Sequence, residues 1–267
     1  MPIAKPDVTA SLIPAGVTAG LTEERMIVVA QMVAGTAVSG ELQENILDDK
    51  SWDTLFGKTS VIAHAIRQMR RLNGVTQIDA IGLTDNGGAT AATGTFVISG
   101  TATEAGTLVF YVGSEKFRKY TIAVADTDTA TVIGDALEAA ITADLESMVT
   151  AANVTGTVTV TAVNGGTFGN TIGLKTTGLV GGVTNTLTTM TGGATDPVLT
   201  GVFDVVGVKR YQGVAWQFQG DLAELTDFLD PRFNVDNNIL DGVGFVGSTD
   251  TLANHLTALG TENSQSL

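Results

Sequence analysis

The chain of 267 residues contains no cysteine, and histidine and long apolar runs are also scarce. Without cysteine there is no disulfide framework, thiol nucleophile or zinc–thiolate site. With only His64 and His255 as imidazoles, a transition-metal site is not expected. No apolar run approaches the length of a membrane span. The first residues, MPIAKPDVTASLIPAG, lack the basic segment and long apolar run of a secretory signal.

Basic residues are also few, because 14 lysines and arginines face 28 acidic residues and give a net charge of −14. Nonspecific nucleic-acid binding depends on Lys and Arg contacts to phosphates, so this composition argues against it. The one dense basic cluster is Arg67, Arg70 and Arg71. Cations favour the carboxyl end of a helix, so the cluster predicts a helix terminus there.

What is abundant points to a folded, strand-rich protein. Hydrophobic residues make up 43%, charged residues only 16%, and 32 glycines supply turns. Disorder would need the opposite balance of charge and apolar residues. Residues 1–25 are the exception, because Pro2, Pro6 and Pro14 favour extended backbone and apolar periodicity is weak. They predict an extended N-terminal arm.

Residues 26–83 predict a strand, a helix and a second strand. The apolar run at 26–34 is typical of a strand covered on both faces, and a polar connection follows at 41–50. Helical spacing then joins Ile62, Ile66, Met69 and Leu72, with Thr59 or Ser60 as the cap and Asn73-Gly74 as the end. Residues 77–83 form the second strand. This order is a βαβ unit and implies a parallel pair.

Residues 84–196 differ in composition: they are rich in threonine, and no proline occurs between Pro14 and Pro197. Threonine alternates with β-branched or aromatic residues at 95–98, 107–112, 120–124 and 157–161, which predicts half-buried antiparallel strands. One helix interrupts them, capped by Thr127 or Asp128, and its apolar stripe is Ile133, Leu137, Ala140 and Ile141. The region is predicted to be an inserted α+β domain, mainly of antiparallel strands.

Residues 197–267 return to an α/β pattern. Strands are predicted at 214–218 and 243–246, and Asp221 caps a helix that Pro231 ends. Asp250 is predicted to start a further helix with Leu252, Leu256 and Leu259. Residues 26–83 and 197–267 are therefore predicted to form one doubly wound α/β domain, split by the insertion at 84–196.

Catalytic and ligand motifs are incomplete. Gly57-Lys58-Thr59 resembles the end of a phosphate-binding loop, but Trp52 occupies the position of the required glycine and the preceding residues look helical. Gly242, Gly244 and Gly247 match G-x-G-x-x-G, yet Phe245 and Val246 look like the strand that should come before such glycines. There is no G-x-S-x-G elbow and no calcium-loop order. No catalytic residue, cofactor or metal is predicted.

Several segments, in order and at matching spacing, resemble the tail sheath family of Mu-like contractile phages. They are the strand at 26–37, Leu55-Phe56-Gly57 with Ser60, and residues 78–83, 100–113, 126–130 and 166–172. The resemblance runs from about Ile13 to the end of the chain and thins after 172. The family's chain normally continues beyond this point, so we expect a C-terminally truncated form or a fragment.

The resemblance implies a non-enzymatic structural subunit with a doubly wound core, a protruding insert and terminal arms that add strands to neighbours. Such subunits form stacked six-fold rings around the tail tube, and contraction drives the tube into the host envelope. The implied partners are neighbouring sheath subunits and the tube, baseplate and tail terminator proteins, in a virion tail assembled in the bacterial cytoplasm, without nucleic-acid contact or membrane insertion. The arm residues expected to contact other subunits are Ile3, Val8, Leu12, Ile13 and Val17.

Two other functions remain open from the sequence. The threonine-rich region could belong to an adhesive, carbohydrate-binding virion protein, which a cluster of exposed aromatics would favour. The two incomplete glycine motifs leave a nucleotide-binding α/β enzyme as the second alternative.

Overall fold

A computed structural model describes residues 24–46, 48–113, 118–234, 239–240 and 242–247. In chain order these residues form β1 (Arg25–Gln31), β2 (Leu42–Gln43), α1 (Asp49–Phe56), α2 (Val61–Leu72), β3 (Gln77–Leu83), β4 (Ala91–Gly100), β5 (Gly106–Gly113), β6 (Arg118–Val124), α3 (Ala130–Ala143), β7 (Val149–Val154), β8 (Thr157–Gly165), β9 (Gly173–Thr177), β10 (Val183–Thr191), β11 (Gly213–Trp216), α4 (Ala223–Leu229), β12 (Phe233–Asn234), β13 (Ile239–Leu240) and β14 (Val243–Val246). The result is a mixed α/β fold, as predicted.

Five strands form a mostly parallel sheet in the order β14-β11-β1-β3-β2. The strands β14, β11, β1 and β3 run parallel, and the short β2 lies antiparallel at the β3 edge. The predicted parallel pairing of the strands on either side of α2 is confirmed. So are the two strands predicted at 214–218 and 243–246, the first of which is shorter than expected.

Helices cover this sheet on both faces because β1 and β3 carry apolar side chains on both. On one face Val28 and Ala80 pack with Phe56, Ile62 and Ile66 of α1 and α2. The other face packs against α4 and the segment before β11, through the residues Ile27, Val29, Ile81, Leu225 and Leu229. On that face Phe203 stacks between Trp216 and Phe228, with ring centroids 5.6 and 4.1 Å away.

The helix ends differ in part from prediction. Ser60 caps α2, since its Oγ accepts the Ala63 N–H at 3.2 Å, and α2 ends before Asn73 as predicted. The buried residues of α2 all lie in its first half, and Leu72, expected on the apolar stripe, is 88% exposed. Thr129 caps α3, and the prediction of Thr127 or Asp128 was wrong.

Those two residues form a turn instead. Thr127 has a positive φ of 70°, outside the helical region, and Asp128 accepts the Ala125 N–H at 2.7 Å. Leu222 occupies the cap position of α4 without a side-chain bond, while Asp221 accepts the Ala223 N–H at 3.3 Å. The predicted cap at Asp221 is therefore one residue early.

The threonine-rich region folds into two antiparallel sheets, β10-β4-β8-β7 and β6-β5-β9. Their inner faces and α3 enclose one apolar core, whose buried residues all lie between Ala92 and Met190. Phe96 and Phe110, one from each sheet, meet edge to face at 5.1 Å. The four predicted strands and their antiparallel pairing are confirmed, whereas β7, β9 and β10 were not predicted.

The outer face of the four-stranded sheet carries threonine in successive cross-strand rows. Its β8 residues are only partly buried and its β10 residues are exposed. We call this surface the threonine face; the register defines it as Thr93, Thr95, Val97 and Ser99 of β4, Thr157, Thr159 and Thr161 of β8, Thr150, Ala152 and Val154 of β7, and Thr184, Thr186, Thr188 and Thr191 of β10.

Candidate functional site

The carboxyl ends of the parallel strands are the usual ligand position in an α/β sheet. Here β1 ends at Gln31 and its neighbour β11 ends just before Gln217. The two glutamines bind each other twice, because the Gln31 N–H donates to Gln217 Oε1 and Gln217 Nε2 donates to Gln31 Oε1, both at 2.6 Å. The crevice is thus spanned by side chains of the protein itself.

The threonine-rich region closes the same crevice. Gln31 Nε2 donates to Asp85 Oδ1 at 2.8 Å and to the Gly165 carbonyl oxygen at 2.6 Å. Asp85 Oδ2 accepts the Gly165 N–H at 2.6 Å. Asn164 Nδ2 donates to both Asp85 Oδ1 and the Met32 carbonyl oxygen, at 2.9 and 3.0 Å. We call Gln31, Gln217, Asp85, Asn164 and Gly165 the crevice network.

Both ends of the threonine-rich region converge near this network. Thr90 and Ala194 form an antiparallel bridge, and Asp196 accepts the Thr167 N–H at 2.7 Å. Gly166, which precedes Thr167, has a φ of 99°, and a Cβ added to it would lie 2.5 Å from Asp196 Oδ1. Only glycine fits this backbone. The crevice is built as a joint between two parts of the chain.

The two incomplete glycine motifs have structural roles. Gly57 ends α1, and its carbonyl oxygen accepts the Ser60 hydroxyl at 2.7 Å, so the loop serves to cap α2. Trp52 lies within α1, where a phosphate-binding loop would place a glycine after a strand. Residues 243–246 are strand β14 itself, lying between Gly242 and Gly247. The first motif is therefore part of a helix cap and the second contains a strand, as the sequence predicted.

A second polar junction joins α2 to the threonine-rich region. His64 Nε2 lies 2.6 Å from the Glu146 carbonyl oxygen, and Arg67 bonds Asp53 at 2.7 Å and approaches Glu146 at 3.8 Å. Arg118 bonds the carboxylates of Asp144 and Glu146 at 2.7 and 2.8 Å. Beside these groups is a cleft of about 270 Å³.

The protonation states at this junction follow from its burial and its ion pairs. Burial lowers the pKa of His64, which keeps the ring neutral between Arg67 and Arg118. The hydrogen bond from Arg118 lowers the pKa of Glu146. The three arginines of the basic cluster have two roles. Arg67 forms ion pairs at this junction, whereas Arg70 and Arg71 lie in the last turn of α2, where the sequence predicted a helix terminus. The other histidine, His255, lies outside the described residues.

The β14 edge of the parallel sheet carries exposed apolar side chains. Only β11 pairs with β14 among the described residues. Val243 is 46% exposed and Phe245 is 54% exposed. The Phe245 ring and the Met26 side chain lie over Gly213, where an added Cβ would come within 3.0 Å of each. An open edge with apolar side chains is a template for strand addition.

Sequence reasoning did not identify the crevice network or the partners of Asp79, and it predicted β14 as a strand without placing it at the edge of the sheet. A signal was present at Gln31 and Asp79, which are single polar residues within buried strands and therefore require partners. The predicted arm residues Ile3, Val8, Leu12, Ile13 and Val17, and the helix predicted after Asp250, lie outside the described residues. No helix in the described ranges has the length and apolar character needed to cross a membrane.

Among the described residues, the polar side chains of the crevice join parts of the chain to each other, and β14 at the edge of the parallel sheet pairs with β11 alone. The chain is similar to the Mu-like prophage FluMu tail sheath protein of Haemophilus influenzae, with 30% identity over 161 residues. The alignment covers 58% of this chain and 32% of that relative, so the chain spans about a third of the relative's length. The predicted resemblance is confirmed as distant homology. No protein-family profile matches the chain.

Proposed function

We propose that the chain is a structural subunit of a contractile phage tail sheath, without enzymatic activity. The homology to a prophage tail sheath protein is the observation that carries this proposal. The crevice network supports it, because the position where an α/β enzyme would hold a ligand is occupied by Gln31, Gln217 and Asp85.

The proposed organisation is a split, doubly wound core at 26–83 and 197–267, an inserted domain at 84–196 and an arm at 1–25. The distribution of buried residues supports this division. One apolar core draws only on residues between Ala92 and Met190. The two cores on the parallel sheet draw their buried residues from 27–83 and 199–229.

In assembly, the arm of one subunit adds to the sheet edge of a neighbour. Main-chain hydrogen bonds then link subunits while tolerating sequence differences, and a heterologous contact of this kind repeats around a ring. The exposed β14 supplies an edge of the required kind, with Val243 and Phe245 beside it. The partners are copies of the same subunit and the tube, baseplate and terminator proteins, in the virion tail.

Electron microscopy of the complete gene product tests this function. Rings or tubes of constant diameter are the expected result, and deletion of residues 1–20 should abolish them. The deleted protein should keep the fluorescence of a buried tryptophan, because Trp52 and Trp216 lie in the cores of the parallel sheet. Tubes that persist after the deletion would refute the arm mechanism.

Calorimetry with ATP and NAD tests the enzymatic alternative. No binding at micromolar concentrations is expected for the parent chain. Micromolar binding that is lost in Lys58→Ala or Gly244→Ala would overturn the structural assignment, because these two substitutions alter the two incomplete glycine motifs.

A further inference from the structure

The threonine face combines three properties that no other described surface of the sheets shares. It is a regular array, because the register places Thr191, Thr93, Thr161 and Thr150 in one row across four strands. The next row continues it with Thr188, Thr95 and Thr159. The residues that define it include no charged and no aromatic side chain.

The lack of charge matters because the chain carries a net charge of −14. Two copies of so acidic a protein repel each other, and most approaches would oppose or desolvate carboxylates. When two copies approach through the threonine face, neither face presents a carboxylate to the other copy. An uncharged surface of this kind lowers the electrostatic cost of a contact between two copies.

Threonine also makes the face complementary to itself. Each hydroxyl is both a donor and an acceptor, so two identical arrays can pair without a partner of different chemistry. The Thr159 and Thr161 hydroxyl groups have no hydrogen-bond partner among the described residues. The absence of aromatic side chains removes the stacking platform on which a sugar ring would lie.

We propose that the threonine face is a self-association surface that packs against the same face of a second copy. The contact is isologous, with the two sheets stacked about 10 Å apart. Neighbours in a ring built from heterologous contacts are not related by two-fold axes, so this contact belongs to unassembled subunits or joins separate assemblies. It stands independently of the proposed sheath function.

The size of the face sets the strength of the contact. Four strands about 4.8 Å apart and seven residues at about 3.3 Å each give a face of about 19 by 23 Å, or about 400 Å². Stable interfaces bury about 800 Å² per partner. The face is about half the size of a stable interface, so dimers should form only at high protein concentration.

The cysteine-free chain allows a direct test by cross-linking. The stacked sheets are farther apart than the Cα separation of about 7 Å that a disulfide allows, so a bismaleimide of about 10 Å is used. Thr159→Cys, near the centre of the face, should give dimers about tenfold faster than Thr121→Cys. Thr121 lies on β6 in the other antiparallel sheet and is more exposed than Thr159, so the difference in accessibility favours the control and works against the proposal.

A second substitution separates specific contact from random collision. Thr95→Glu, added to Thr159→Cys, places a carboxylate opposite its own copy and should reduce the cross-linking rate to that of the Thr121→Cys control. Equal rates for Thr159→Cys and Thr121→Cys at 100 μM would overturn the proposal. Retardation of the parent monomer on a dextran column, abolished by Thr95→Glu, would assign the face to a neutral glycan and would also overturn it.

Discussion

Removing the Tyr211 hydroxyl tests how the two segments of the parallel sheet hold together. Asp79 lies in the middle of β3 with a fully buried side chain. Its Oδ2 accepts the Tyr211 hydroxyl at 2.7 Å and its Oδ1 accepts the Asn45 N–H at 2.9 Å, while Arg25 is 3.8 Å from Oδ2. Tyr211→Phe keeps the buried ring and leaves Oδ2 without its closest donor.

The expected loss of unfolding free energy is about 2 kcal/mol, because a buried charged acceptor loses a hydrogen bond. With a urea m-value of about 2–3 kcal/mol/M, the midpoint should fall by about 0.7–1 M. Tryptophan fluorescence is the appropriate measurement, because both tryptophans, Trp52 and Trp216, are buried on the parallel sheet.

Tyr120→Phe is the matched control. The Tyr120 hydroxyl donates to Asp144 at 3.1 Å, but Asp144 keeps two hydrogen bonds from Arg118 when this donor is removed. Its effect should stay below about 0.5 kcal/mol. A Tyr211→Phe midpoint equal to that of the parent would refute the reasoning. So would full additivity with Asp79→Asn, because interacting partners should be coupled.

Three further outcomes are expected. Asp85→Ala should destabilise the protein by about 2–3 kcal/mol in urea titrations, because the Gly165 N–H loses its acceptor and Gln31 and Asn164 each lose one of two acceptors. Asp126→Ala, at an exposed turn, should change stability little. Burial lowers the pKa of His64 in the folded state, so stability should fall as the pH drops below about 6.5; His64→Gln should flatten that dependence, and an unchanged slope would contradict the assignment. Residues 84–196 expressed alone should melt cooperatively with dispersed amide resonances, since their core is self-contained, and a collapsed, non-cooperative chain would contradict this.

The strands that could be predicted from the sequence are those with a clear burial pattern. In β1 and β3 an apolar run is buried on both faces, and in β4, β5, β6 and β8 buried apolar side chains alternate with more exposed residues. The strand β10 was not predicted, because almost all its residues from Thr184 onward are exposed or only partly buried. Leu72 fits the helical period of α2 but lies in its last turn, after the last fully buried residue, Ile66, and periodicity does not show where burial ends.

The candidate site was less accessible to sequence reasoning for a physical reason. Gln31 and Gly165 are 134 residues apart in the chain, and their contact depends on how the threonine-rich region is placed against the parallel sheet. Local spacing carries no information about that placement. What the sequence does show is that Gln31 interrupts an apolar run, which signals a buried hydrogen bond without naming its partner.

The convergence of the two ends of the threonine-rich region has a consequence for how such a protein can diversify. Thr90 bridges Ala194, so the long connection from β3 to β11 leaves and returns at almost one point. The pairing of the parallel strands should therefore depend little on the number of residues between Thr90 and Ala194. Closing a longer connection between them costs little additional entropy. Resizing of loops within residues 91–193, away from Glu146, Asn164 and Gly165, should leave the pairing of β1 with β3 and β11 unaltered. A region attached through one such bridge can be enlarged or reduced far from the joint while the parallel strands keep their register.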